Sequence, residues 1–184
     1  MKGTISRWIL RLMGWKQAGA LPPEKKYVLV VAPHTSNWDY VIGQLFCFAS
    51  GVKPSILVKK ELFWFPLGNL LRALGGIPVD RQRKTDIVDD LIKRFKEQDN
   101  FVLTISPEGT RKRVSEWKTG FHRIASGAGV PVLPGFLDYR KKIVGVGDFF
   151  TLSGDPETDM ETVKDFYKGF SPKYPDNFAT GPEQ

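Results

Sequence analysis

Five short apolar runs, most of them rich in β-branched residues and too short for helices, constrain this chain more than any other feature. They are Tyr27-Val-Leu-Val-Val-Ala32, Ser55-Ile-Leu-Val58, Gly75-Gly-Ile-Pro-Val79, Phe101-Val-Leu-Thr-Ile105 and Val130-Pro-Val-Leu-Pro134. A short continuous apolar run reads as a strand covered on both faces. Between the runs the period changes. An apolar helix is predicted from about Tyr40 to Ser50, and another over residues 118–129. Residues 83–98 set Ile87, Leu91 and Phe95 four apart, which predicts a helix with one buried face. Strands alternating with helices predict an α/β fold, a mixed and largely parallel sheet sandwiched by helices. At 184 residues and 41% apolar composition, one core is expected. The working division is a basic amphipathic N-terminal helix over 1–20 and a single domain over 21–184. The tail from about residue 141 holds short apolar segments and then polar, Pro-rich sequence, to which no regular element is assigned.

The charge balance narrows the partners. Lys and Arg number 27 against 20 Asp and Glu, a net charge of +7. That excess favours nucleic acid, an anionic lipid surface or a phosphorylated small molecule. The single Cys47 lies in an apolar stretch and reads as a small core residue in a reducing compartment. With two histidines and one cysteine, soft ligands are too few for a structural zinc site, and no metal is expected. No run approaches the roughly 18–20 apolar residues that span a bilayer. Arg7 and Arg11 interrupt any signal-peptide core, so export is not expected.

Two segments suit an interface. Residues 4–16 place Ile5, Trp8, Ile9 and Leu12 at helical spacing, with Arg7 and Arg11 on another face. Such a helix fits an anionic headgroup region, and equally fits docking on the domain's own core. Residues 61–74 are strongly aromatic, with Pro66 and Gly68 marking a break. Phe63, Trp64 and Phe65 suit an acyl-chain tunnel, a bilayer interface or ordinary packing.

Chemistry is suggested in three places. His34 follows directly on an apolar run, and Asp39 lies five residues later, within reach across one turn of a starting helix. An aspartate that orients an imidazole equips it to take a proton from a hydroxyl, here a substrate's own. Pro107-Glu-Gly-Thr-Arg111 also follows a strand. Gly109 lets backbone amides approach an anion, Thr110 offers a hydroxyl, and Arg111 a fork suited to phosphate. Glu108 would repel phosphate and suits an acceptor hydroxyl or a neighbouring cation better. Arg81 ends the run at 75–79 and would share an edge with Arg111 if the strands are parallel; Lys118 is a further anion contact. Singly, each has a bland reading as a cap, a turn or a surface ion pair.

Taken in order, His34-x4-Asp39, the Gly75-to-Arg81 block, Pro107-Glu-Gly-Thr-Arg111 and the Val-Pro-Val segment at 130–134 resemble the glycerophospholipid acyltransferase family. Its best-known members are the lysophosphatidic acid (1-acylglycerol-3-phosphate) acyltransferases. The resemblance implies a glycerol-3-phosphate acyltransferase-like fold, with His34 as general base and Asp39 as its orienting carboxylate. It places Arg81, Thr110 and Arg111 around the acceptor's polar head, with Glu108 and Gly109 assisting and Lys60 and Lys118 nearby. It further implies acyl-CoA or acyl-carrier protein as thioester co-substrate, a lysolipid acceptor, no bound cofactor and no metal. The expected location is cytoplasmic, peripheral on the inner face of the cell membrane, against anionic lipid. Two departures stand out: the N-terminal apolar region is short, and the tail after 140 has no counterpart. The competing expectations are a non-catalytic lipid- or phosphate-binding protein of the same fold and, more distantly, a nucleic-acid binder. No reader motif supports the latter, and no nucleic-acid partner is expected.

Overall fold

The structure, a computed structural model, describes residues 2–80 and 84–180. One strand explains how its layers arise. In β2 (Lys26–Ala32), Val28, Val30 and Ala32 face one apolar cluster, while Tyr27 and Leu29 face another. Successive side chains of an extended chain point to opposite faces, so an unbroken apolar run needs cover on both. The other strands are β1 (Lys16–Ala18), β3 (Ser55–Lys59), β4 (Gly76–Val79), β5 (Phe101–Ile105), β6 (Val132–Asp138) and β7 (Ile143–Val146). They form one sheet in the order β1-β7-β6-β2-β5-β3-β4. Strands β2 to β6 run parallel; β7 turns back antiparallel to β6, and β1 pairs parallel with β7. The mixed, largely parallel sheet expected from the sequence is the one observed.

Helices cover both faces. α1 (Lys2–Leu12) and α2 (Asn37–Ala49) supply Leu10, Ile42, Phe46 and Cys47 to one cluster. α4 (Lys84–Glu97), α5 (Gly120–Ala128) and α6 (Pro156–Tyr167) supply Leu91, Phe95, Phe121, Ile124, Val163 and Tyr167 to the other. A short α3 (Leu67–Ala73) precedes β4. Burial pushes the Cys47 thiol up to about 12, which makes it an inert core residue.

The structure differs from the sequence expectation at both ends. The N-terminal helix, expected over 1–20, stops at Leu12, and Lys16–Ala18 form β1 instead. Gly14 adopts φ +78, its N–H bonds Arg11 O (3.0 Å), and Trp15 N–H bonds Leu10 O (2.8 Å). That pairing closes a helix with a left-handed residue. In the tail, β7 and α6 occupy sequence to which nothing was assigned. Asp155 caps α6 by accepting from Thr158 N–H at 3.1 Å, with Pro156 in the first turn. The fully buried Tyr167 then donates to Val30 O at 2.7 Å, tying α6 to the central strand.

Register decides where the site falls. Val28 lies opposite Leu103 on β5 and Val132 on β6, and Ala32 opposite Phe136. Loops leaving β2, β5 and β6 therefore emerge side by side at one edge. The strand order reverses direction around β2 there, which is where open α/β sheets bind ligands.

Candidate active site

His34 stands two residues beyond β2, in the turn that starts α2. Ser36 is the N-cap, its Oγ accepting from Trp38 N–H at 3.2 Å. Asp39 answers as the third residue of the helix and accepts from Ser36 N–H at 2.7 Å, completing a capping box. Thr35 N–H donates to the same Oδ2 at 2.7 Å. The spacing from His34 to Asp39 is thus the spacing of a helix start. It brings His34 Nδ1 to 3.4 Å from Asp39 Oδ2, with the histidine side chain 28% exposed and the carboxylate buried. At 3.4 Å this separation is loose for a hydrogen bond. An imidazole held in this way through one nitrogen can accept a proton through the other.

Two groups that sequence reasoning missed or placed otherwise complete the support. Tyr139, directly after β6, donates its hydroxyl to Asp39 Oδ1 at 2.6 Å. Burial, and then the Asp39 carboxylate, pushes its phenol well above the ordinary range, so it remains a donor. Its ring meets Trp15 edge-on at 5.0 Å. The missed signal was strand length. The apolar run extends through Leu137, and the parallel register with β2 carries residue 139 to the edge that holds His34. Glu108, expected near an acceptor hydroxyl or a cation, is instead 2% exposed and accepts from His34 N–H at 2.8 Å. Burial pushes its carboxyl up to about 8, with the His34 N–H opposing and the Asp39 charge reinforcing the shift. It holds the backbone of the histidine from behind.

Two of the remaining candidates, Thr110 and Arg111, line a cleft of about 520 Å³ that flanks the His34 loop. Its walls are the 35–38 turn, Thr110 to Lys112, and Tyr174 with Asn177. Thr110 and Arg111 therefore share this cleft with the start of α2. Gly109 adopts φ +65, and a Cβ there would lie 2.6 Å from Lys118 Nζ. Lys118 N–H also bonds Pro107 O at 2.7 Å, so the lysine folds back over the 107–109 turn. Lys60 opens a 3-10 turn after β3, exposed at the same edge of the sheet, two strands from β2. Arg81 lies outside the described residues. No group of three or more His, Cys, Asp or Glu able to hold a metal occurs among the described residues.

Comparison with known proteins follows the same span. A family model described as Acyltransferase matches residues 17–137, which covers the His34 and Glu108 loops and β6 up to its last residue. This chain belongs to the acyltransferase family. The acyltransferase finds no match among curated proteins. Its structure is similar to the crystal structure of the 1-acyl-sn-glycerophosphate (LPA) acyltransferase PlsC from Thermotoga maritima. The TM-score is 0.61 at 17% sequence identity, over 93% of this acyltransferase and 80% of that chain. A likeness at that identity concerns the fold. Residues 138–180 of the acyltransferase, with Tyr139, α6 and the Tyr174 wall, lie beyond the family match.

Proposed function

We propose that this acyltransferase moves a fatty acyl chain from a thioester, acyl-CoA or acyl-carrier protein, to the hydroxyl of a lysophospholipid-like acceptor. The observation that carries this reading is the His34–Asp39 pair beside a cleft bearing Arg111. A thioester is already activated, so no covalent enzyme intermediate is required. His34 takes the proton of the acceptor hydroxyl as its oxygen attacks the thioester carbonyl. The carbon–sulfur bond then breaks, and the thiolate leaves with a proton. Asp39 fixes the imidazole and steadies the imidazolium. Arg111, Thr110 and Lys118, with Arg81 and Lys60, hold the acceptor's polar head, and Glu108 and Gly109 shape the loop that presents it. Much of the rate comes from holding hydroxyl and thioester together.

The acceptor is a lipid, and α1 supports a membrane location. Its apolar stripe faces away from the protein: Trp8 is 65% and Leu12 70% exposed, with Ile5 and Ile9 exposed beside them. Ser6 and Leu10 make the buried side instead. An outward apolar stripe flanked by Arg7 and Arg11 suits anionic lipid at the inner membrane surface. Among the described residues no helix is long and apolar enough to cross a membrane.

The test incubates purified protein with radiolabelled palmitoyl-CoA or palmitoyl-carrier protein and a panel of lysolipids. The expected outcome is one lysolipid class gaining the label, with His34→Ala slower by roughly 10²–10⁴-fold. Equal transfer by His34→Ala would remove His34 from the chemistry, and no labelled product from any acceptor would remove the lysolipid reading.

A further inference from the structure

Beyond α6 the chain returns to the catalytic edge and is tied there at several points. Ser171 O accepts from Tyr139 N–H at 2.8 Å. Tyr174 N–H donates to Thr35 Oγ1 at 3.3 Å, one residue from His34. Lys173 Nζ lies 5.5 Å from the Trp38 ring and 5.6 Å from that of Tyr174. Farther along, Ala179 O accepts from Trp117 Nε1 at 2.9 Å, and Phe178 packs against the same indole. Residues 171–179 thus bridge the His34 loop and the segment that carries Lys118. Tyr174 and Asn177, midway along the bridge, are one wall of the 520 Å³ cleft.

That cleft has a definite chemical character. Arg111 and Lys112 line it, and among the described residues no carboxylate does. Asn37, Thr110 and Asn177 add neutral donors; Lys173 is not itself a wall, but its Nζ lies 5.5 Å from the ring of Trp38, which is one. Two cations with amides and hydroxyls fit a phosphate on a polyol and suit an alkyl chain poorly. The amphiphilic acceptor has such a head, and the cleft adjoins the histidine that would deprotonate its hydroxyl.

We infer that residues 171–179 are the acceptor-selecting wall of this enzyme, with Lys173, Tyr174 and Asn177 reading a phosphate-bearing polar head opposite Arg111. Selectivity then rests on chain that the acyltransferase family match does not include. The inference rests on acyl transfer to a lipid hydroxyl as the reaction.

The experiment compares wild type with Lys173→Ala, Lys173→Glu and Lys173→Arg, using palmitoyl-CoA as donor. Acceptors are lysophosphatidic acid and monoacylglycerol, which differ in the phosphate. Lys173→Ala is expected to lower the preference for the phosphate-headed acceptor by about tenfold, the usual scale of one charge-assisted contact. Lys173→Glu is expected to lower it further, and Lys173→Arg to restore it. The effect is expected in KM for the acceptor and not in KM for the thioester. An unchanged preference overturns the inference, as does a rise confined to the thioester KM, which would give the cleft to the donor's phosphates. Equal loss on both acceptors overturns it too, as the mark of a merely structural wall. Calorimetric titration with glycerol 3-phosphate separates the two readings. If wild type transfers no acyl group yet binds glycerol 3-phosphate more tightly than Lys173→Ala does, the transferase chemistry falls and the anion-reading wall stands.

Discussion

At the scale of single residues, Asp39 carries several obligations on one carboxylate. Oδ2 takes the N–H groups of Thr35 and Ser36 and faces the imidazole, while Oδ1 takes the Tyr139 hydroxyl. Removing the phenol frees one oxygen to rotate, and the imidazole it orients follows. Tyr139→Phe is therefore expected to lower kcat by about tenfold while leaving KM for both substrates near wild type; a KM effect alone would make Tyr139 part of the binding surface. Glu108 gives a second test, through pH. Its carboxyl, ordinarily near 4.5, is pushed up to about 8 in the folded protein. The folded state keeps that proton while the unfolded state loses it, so its contribution to stability is full below about pH 4.5. The contribution declines as pH rises toward 8. Glu108→Gln keeps an acceptor for His34 N–H and has no proton to lose. Its stability is expected to vary less with pH than wild type between pH 4.5 and 8, in urea melts across that range. Parallel curves would show that Glu108 titrates normally. Glu108→Ala leaves the part-buried His34 N–H without its partner and is expected to cost roughly 1–3 kcal/mol.

At the scale of elements, the interior of the chain was legible and its two ends were not. Runs such as 27–32 and 101–105 announce themselves because strands covered on both faces must be apolar throughout. The His34–Asp39 contact was legible because five residues reach across one turn of a starting helix, and the Ser36–Asp39 capping box fixes that turn. α6 was overlooked because the tail reads as polar and Pro-rich, whereas a proline just after an Asp cap begins a helix. With α6 unread, the return of residues 171–179 to the site was unreadable too. No local pattern encodes a backbone bond between positions as far apart as Thr35 and Tyr174. α6 is held by a buried contact, His122 Nε2 to Asp159 Oδ2 at 2.8 Å, and Asp159 also accepts from Ser153 N–H. Asp159→Ala leaves the imidazole and that N–H unpaired, and roughly 1–3 kcal/mol of destabilisation for each stranded group is expected in thermal or urea melts. A loss under 1 kcal/mol would mean that the Tyr167 bonds alone secure the helix. α1 was half legible: its amphipathic pattern was plain, but which side faced the protein was not. Leu10 and Ser6 settle that by being buried while Trp8 and Leu12 are not.

At the scale of the whole molecule, a +7 charge and an outward apolar helix offer two separable attractions to the proposed lipid surface. The two attractions respond differently to solvent. Long-range attraction of the basic surface to anionic lipid is screened, with a Debye length near 10 Å at 0.1 M salt and about 3 Å at 1 M. Burial of the Trp8 and Ile9 side chains in the headgroup region is not screened, and each full burial contributes roughly 1.5–3 kcal/mol. Co-sedimentation with phosphatidylglycerol-containing vesicles is therefore expected to weaken as salt rises from about 0.1 to 0.5 M. Trp8→Ser with Ile9→Ser, which leaves the charge unchanged, is expected to lower binding at every salt concentration, with the salt response itself retained. On neutral vesicles the wild type is expected to bind weakly through α1 alone, and the double variant not at all. If the double variant partitions like wild type on both lipids, the outward stripe of α1 serves some other contact, and charge alone brings the enzyme to its acceptor. If salt has no effect, the excess of lysine and arginine belongs to the cleft and its phosphate, not to the membrane.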